Sequence, residues 1–298
     1  MCARSLIAFL LAGAAFSVSA NDFNSLLRNL GKALAPPPQQ PAPSQPAPAQ
    51  AAPDPGAQLA SALLAGRVST EQERQLGGQI VGNLLGVAPL VRDDALQRYV
   101  NRVGRWVALQ SERPDLPWRF GVVDSEDINA FAAPGGYVLV TKGLYRRLGS
   151  EAELAGVLGH EIGHVIKKHH LKILQKSQVI SAVGGLLGRK LQGESQVVQN
   201  LIGNGAEVVA RGLDKDAEFE ADRIGLVLAA RAGYEAYGLP AVLQEIGHGN
   251  VEASRTALLF KTHPHPDERF ARLGEAVGER LDALAPGKTL ESRFYRLR

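Results

Sequence analysis

The stretch VLGHEIGHVIKKHH, Val157 to His170, sets four histidines and one glutamate into an otherwise aliphatic segment tipped by two lysines. Just upstream, Ser150 is followed three residues on by Glu153, the spacing of a capping box, so the pattern predicts a helix that starts there and carries the motif. On that helix His160 and His164 lie about 40° apart around the axis and about 6 Å along it. Two imidazoles so placed can share a metal ion. Glu161, one residue round from His160, reaches a water on that metal without ligating it, which is the H-E-x-x-H arrangement of zinc peptidases. The plainer alternative makes both histidines core residues satisfied by backbone groups. Gly159 and Gly163 weigh against it, because each costs about 1 kcal/mol of helix propensity relative to alanine, a loss that makes sense where another backbone or a ligand comes close.

A third ligand has two candidates. His170 fits the spacing of H-E-x-x-H-x-x-G-x-x-H, but Lys167 stands at the glycine position of that pattern. A helix continuing through Lys167 turns His170 about 240° from His164, away from the metal. The chain's only methionine is Met1, so the Met-turn of that pattern is absent as well. His169 and His170, with Lys167 and Lys168, read instead as a solvated, cationic helix end. The other candidate is a carboxylate in DKDAEFEADRIG, Asp214 to Gly225. Glu218 and Asp222 are four apart and share a face. Like charges at that spacing destabilise a helix unless a cation sits near them. A zinc ion on Glu218, with Asp222 accepting the free N–H of a ligand histidine, removes the penalty. Glu220 lies about 160° round from Glu218 and reads as a surface partner of Arg223. The competing reading is a solvated acidic face.

Around this centre the chain divides by composition. MCARSLIAFLLAGAAFSVSA reads as a signal peptide over residues 1–20, with Arg4 as its basic end, an apolar run too short to span a bilayer and small residues before Asn21. Its removal takes away Cys2, the only cysteine, so no disulfide holds the fold. Nine prolines between Pro36 and Pro55 make 21–56 an N-terminal segment and extended tether. The domain proper is expected over 57–298, with no segment long and apolar enough to span a membrane. Without the leader the balance is 32 Lys and Arg against 30 Asp and Glu, with no basic block, which argues against nucleic acid.

Within the domain a helical pattern runs from Ser69 to Gln110, with Ser69 or Thr70 as its cap. Pro114 and Pro117 end it. WRFGVVDS from Trp118 and YVLVT, Tyr137 to Thr141, read as strands, the second entered through a Pro134-Gly135-Gly136 turn. Further helices are expected over 172–187, 196–232, 237–247 and 266–284. The fold class is α+β and predominantly helical, with a small sheet beside the motif helix.

With these residues in view, the chain resembles the zinc metallopeptidase family of HtpX and the CAAX prenyl proteases (peptidase family M48), and within it the BepA-type branch. The matching stretches, in the family's order, are NAFAAPGGYVLVTKGL (Asn129 to Leu144), LAGVLGHEIGHV (Leu154 to Val165), EFEADRIG (Glu218 to Gly225), AGYEAYGLP (Ala232 to Pro240) and THPHPDER (Thr262 to Arg269). The resemblance implies a zincin-like (gluzincin) fold with one zinc ion per chain held by His160, His164 and Glu218. It also implies Glu161 as general base and Asp222 behind a ligand histidine. It further implies an exported, bacterial periplasmic protein acting on unfolded or envelope polypeptides, with peripheral outer-membrane association. The stretch to Arg298 carries no C-terminal helical-repeat domain of the BepA-type members, so partner docking through such repeats is not expected.

The expected activity is hydrolysis of peptide bonds by water activated between zinc and Glu161, as quality control of misfolded or envelope proteins. By the same resemblance Gly136, Tyr137, Val138, Leu139 and Val140 are expected beside the cleft, pairing with an extended substrate, the alternative being an ordinary sheet strand. Pro264 holds His263 in one direction, and the resemblance to the family's H-P segment near the active site makes it a candidate fourth ligand that latches the site at rest, the alternatives being transition-state stabilisation or a loop histidine with no catalytic part. The competitors are a catalytically weak zinc-fold chaperone or binding module at the outer membrane, against which an intact Glu161 counts, and a tether protein resting only on the proline-rich arm.

Overall fold

Pro89 divides the stretch whose pattern reads as one helix from Ser69 to Gln110. The computed structural model describes residues 55–176, 213–248, 262–278 and 286–297, together with Thr256 and Leu259. It has α1 over Pro55–Leu64, α2 over Thr70–Val87 and α3 over Asp94–Ala108. Ala88 is extended, as a residue before proline prefers, and Asp93 restarts the helix by accepting the N–H groups of Ala95 and Leu96, each at 3.0 Å. Of the two candidate caps for α2, Ser69 serves, in a reciprocal box with Gln72. The expected leader, the tether before residue 55 and the helical stretches predicted over 177–187 and 196–212 lie outside the described residues.

Three strands follow: β1 (Arg119–Val123), β2 (Ala130–Ala133) and β3 (Tyr137–Thr141). Their order is β1-β3-β2, with β1 parallel and β2 antiparallel to β3. Arg119 pairs with Tyr137 and Val123 with Thr141, while Ala130 pairs with Val140 and Ala133 with Tyr137. The alanine-rich β2 escapes a reading by strand propensity because alanine is a poor strand former; its partner across the hairpin holds it in place. The hairpin turn needs glycine twice, since Gly135 and Gly136 have φ of 80° and 97°. A β-carbon on Gly135 would also stand 2.5 Å from the Arg74 backbone, so the turn is pressed onto α2.

This topology corrects one expectation. β3 is the central strand, its two edges occupied by β1 and β2, so Gly136, Tyr137, Val138, Leu139 and Val140 have no free edge to offer a substrate. Of the two outer edges, that of β1 is taken up by the Leu90–Val123 bridge and by the side chains of Gln97 and Asn101, which leaves the outer edge of β2 as the candidate among the described residues.

After the short α4 (Lys142–Tyr145) come α5 (Glu151–Ile166), α6 (Lys215–Arg231), α7 (Gly238–His248), α8 (Pro266–Val277) and a 3-10 turn at Glu291–Arg293. Ser150 caps α5, its hydroxyl accepting the Glu153 N–H at 3.1 Å, but the Glu153 carboxylate accepts from the Gly149 N–H and the Ser150 hydroxyl rather than from the Ser150 N–H. From Glu151 to Val165 every residue except Glu153 is buried, so α5 is the central element, walled by α3, α6, α7 and β2. Its first residue, Glu151, is fully buried and accepts hydrogen bonds from the Tyr99 and Tyr234 hydroxyls at 2.8 and 2.9 Å and from Arg293 Nε at 3.0 Å. Those bonds tie α3 and the C-terminal segment to the start of the motif helix. α8 ends at Val277, before Gly278 at φ 49°, and the remainder of the predicted helix, 279–284, lies outside the described residues. None of the described helices is long and apolar enough to cross a membrane.

Candidate metal centre and active site

Helices α5 and α6 meet backbone to backbone. A β-carbon at Gly159 would lie 2.7 Å from the Gly225 carbonyl oxygen, and one at Gly225 would lie 2.5 Å from the His160 nitrogen. Gly159 is therefore explained by a neighbouring helix rather than by a ligand. The approach brings Glu218 and Asp222, one turn apart on α6, up to His160 and His164, one turn apart on α5.

The two histidine Nε2 atoms stand 3.0 Å apart. Glu218 Oε2 lies 3.6 Å from His160 Nε2, and its Oε1 lies 3.5 Å from His164 Nε2. Ligand atoms around a tetrahedral zinc, with bonds of about 2.0–2.1 Å, are about 3.3 Å from one another, so the spacing suits such an ion. Glu218 Oε1 is buried with no hydrogen-bond partner, and an unpaired carboxylate oxygen aimed at two imidazole nitrogens is best satisfied by a cation. His263 joins the group, its Nδ1 2.7 Å from Glu218 Oε2. One ligand atom from each of His160, His164, Glu218 and His263 falls within 4.8 Å of the others. The donor set fits a metal cofactor.

Behind His160 stands Asp222, with Oδ1 2.8 Å from Nδ1. A carboxylate there accepts the Nδ1 proton and leaves the Nε2 lone pair facing Glu218 and His164. Arg269 grips the same carboxylate through Nε at 3.0 Å and Nη2 at 2.6 Å. Burial works to raise the Asp222 carboxyl, yet Arg269 and His160 together hold it well below the usual carboxylate range. The sequence reading missed Arg269. Its signal was present: Arg269 and Leu273 are four apart and both buried, which places a charge on the inward face of α8.

At the far end of the motif the expectation fails. His169 and His170 are buried, 4% and 7% exposed, where a solvated helix end was expected. The helix does not run through Lys167. It breaks there, Lys168 takes a left-handed φ of 56°, and a new helical run begins at 169 and turns both imidazoles inward. A non-glycine residue thus makes the turn for which the pattern demanded glycine. His170 stacks edge-on to His164 at 5.6 Å, and burial pushes it down to about 4. His169 Nδ1 lies 2.9 Å from His164 Nδ1. Glu220 does not serve as a simple surface partner of Arg223 either, for its Oε2 lies 3.1 Å from His169 Nε2.

Glu161 is buried and lines a cavity of about 40 Å³ with His160, His263, Arg269, Leu239 and Val242. That space admits a few waters and no peptide. Burial raises the Glu161 carboxyl above its ordinary range, against the pull of His160, His263 and Arg269. One wall is the segment before α8, where the Thr262 hydroxyl donates to Asn129 Oδ1 at 3.3 Å at the head of β2.

Residues 94–277 match the model of peptidase family M48. The chain belongs to this family. It is 31% identical over 235 residues to the beta-barrel assembly-enhancing protease of Yersinia pestis, covering 76% of this chain and 48% of that protein. It is also 31% identical over 213 residues to the protein of that name from Escherichia coli K12, covering 68% and 43%. To the mitochondrial metalloendopeptidase OMA1 of Arabidopsis thaliana it is 29% identical over 185 residues, covering 62% and 36%. These agree with the BepA-type branch expected from the motifs, although the chain spans about half the length or less of these three relatives. A mostly helical M48 chain with a small mixed sheet is zincin-like, and its donor set suits a metallopeptidase.

Proposed function

We propose that the protein is a zinc endopeptidase in which His160, His164 and Glu218 hold one zinc ion per chain and Glu161 is the general base. The observation that carries this is the unpaired, buried Glu218 oxygen facing two Nε2 atoms, with Glu161 lining a cavity beside His160 and His263. Bound at these residues, zinc supplies Lewis acidity, polarising a carbonyl and making water reactive near neutral pH. Glu161 takes the proton of the attacking water on its carboxylate and then passes it to the nitrogen of the leaving amine. Its raised affinity for a proton suits both halves of that shuttle. No covalent acyl-enzyme is required. Asp222, held charged by Arg269, keeps His160 in the tautomer that ligates.

Substrate binding falls to β2 instead of β3. The outer edge of Ala130–Ala133 lies beside α5, and an extended polypeptide can add there as a further strand, with backbone hydrogen bonds giving affinity and little side-chain selectivity. Unfolded segments suit such an edge. The work we propose is in the bacterial envelope, after export to the periplasm and in association with the outer membrane, on envelope or misfolded proteins; relatives named beta-barrel assembly-enhancing protease and the leader-like N-terminal sequence support that reading. The test is cleavage of casein and of a denatured outer-membrane protein by wild type and Glu161→Gln, with and without a chelator. Loss of cleavage in both the variant and the chelated wild type is expected. Tight binding of unfolded protein without cleavage by a zinc-loaded wild type would instead make the protein a binding module.

A further inference from the structure

Each histidine of the H-E-x-x-H motif presents Nε2 to the metal position, so each needs something to hold its Nδ1. His160 has Asp222 directly. His164 Nδ1 has no carboxylate against it, because the other acids of α6, Asp216 and Glu220, each project about 160° away from Glu218. We propose that His169 spans this gap and that Glu220, His169 and His164 form a carboxylate–histidine–histidine relay fixing the tautomer and ring plane of His164; the relay rests on the metal reading above.

The proton positions follow from the partners. The Glu220 carboxylate only accepts, so the 3.1 Å contact puts a proton on His169 Nε2. A neutral His169 then has a lone pair on Nδ1. That atom lies 2.9 Å from His164 Nδ1, which must carry the proton between them. His164 Nε2 is left with its lone pair, 3.0 Å from His160 Nε2 and 3.5 Å from Glu218 Oε1. Every bond in the row has one donor and one acceptor, and the result is the ligating tautomer.

The backbone is shaped to make the row possible. Lys168 at φ 56° adopts a conformation that costs a non-glycine residue on the order of 1–2 kcal/mol, and it is there that the chain turns His169 back towards His164. The turn is pinned from outside. Lys168 Nζ lies 2.6 Å from Glu73 Oε1 on α2, as an ion pair whose angle falls short of an aligned hydrogen bond, and Arg113 Nη1 lies 2.9 Å from the other Glu73 oxygen. Glu73 is itself buried. A solvated helix end would need neither the strained turn nor the buried acid.

The experiment is zinc affinity, measured by competition with a chromophoric chelator, together with the visible spectrum of the cobalt(II)-substituted protein. His169 acts as a positioning residue, so His169→Phe should raise the zinc Kd by about ten- to a hundredfold and shift the cobalt bands. Glu220 is 40% exposed on its side chain, so Glu220→Ala leaves the fold intact and should raise the Kd by about threefold or more. In the His169→Phe background Glu220→Ala should add nothing, since the link to His164 is already cut. His169→Asn, which keeps an acceptor near the Nδ1 position, should recover part of the loss and of the spectrum. Kd values within twofold of wild type for both single variants, or a Glu220→Ala effect undiminished in the double variant, overturn the relay. A wild type that takes up no zinc overturns the metal reading and the relay with it, whereas zinc-binding wild type with unchanged variants overturns the relay alone.

Discussion

The backbones of Gly159 and Gly225 touch across the α5–α6 crossing, with room for a β-carbon on neither. That contact sets the distance from His160 and His164 to Glu218 and Asp222, so the metal position depends on two residues that carry no chemistry. Gly225→Ala should force the helices apart. Alanine favours an isolated helix by about 1 kcal/mol, but overpacking a close-packed contact costs about 1–3 kcal/mol. Urea unfolding in the presence of chelator should show a net loss of stability, and metal analysis a loss of zinc. A variant as stable as wild type, with full zinc, would mean the crossing is not as tight as the geometry states.

Glu161→Gln removes only the proton shuttle. The side chain keeps its size in the same cavity, so zinc content and unfolding midpoint should stay at wild-type values while peptidase activity falls about a hundredfold or more. Retained activity would sink the general-base assignment.

Much of this site was legible as spacing. Helical period places His160, His164, Glu218 and Asp222 on facing sides, and a pattern of period 3.6 carries that information without tertiary contacts. What stayed hidden depended on contacts. His169 and His170 were misread because a helix was extended through Lys167, and nothing local reveals that Lys168 turns left-handed when its ammonium can reach Glu73, some ninety residues earlier. β2 was missed because Ala130–Ala133 owes its conformation to β3. Pro89, like the spacing of Arg269 and Leu273, was a miss with a local signal, since proline interrupts a helix by its own geometry.

Glu218→Gln should separate ligation from folding. Zinc bound to the folded chain alone raises stability by RT ln(1 + [Zn]/Kd), about 2.7 kcal/mol at a hundredfold excess over Kd. Wild type should therefore lose thermal stability on addition of chelator. Glu218→Gln, with a weaker donor at the metal position, should start near the chelated wild-type value and respond little. An equal drop in both proteins would remove Glu218 from the ligand set.

The last prediction concerns His263. Pro264 restricts its backbone, its N–H is held by the Leu259 carbonyl at 2.7 Å, and its imidazole Nδ1 rests 2.7 Å from Glu218 Oε2. Thr262, one residue before, is bonded to Asn129 at the head of β2. The segment thus spans from the metal position to the strand edge that we assign to substrate, over a cavity too small for a peptide. A substrate must displace it, and His263 leaves the donor set as it does. Removing the imidazole should favour the open arrangement, so His263→Ala should cleave short peptides faster than wild type at unchanged zinc content. A role in stabilising the transition state predicts the opposite, a lower kcat with zinc unaffected. Burial works to lower the affinity of His263 for a proton, but Glu218 raises it on balance, which strengthens the contact that holds the segment down. Steady-state kinetics on a short fluorogenic peptide, paired with metal analysis, decides between them, and rates equal to wild type would show that the imidazole neither closes the site nor takes part in the reaction.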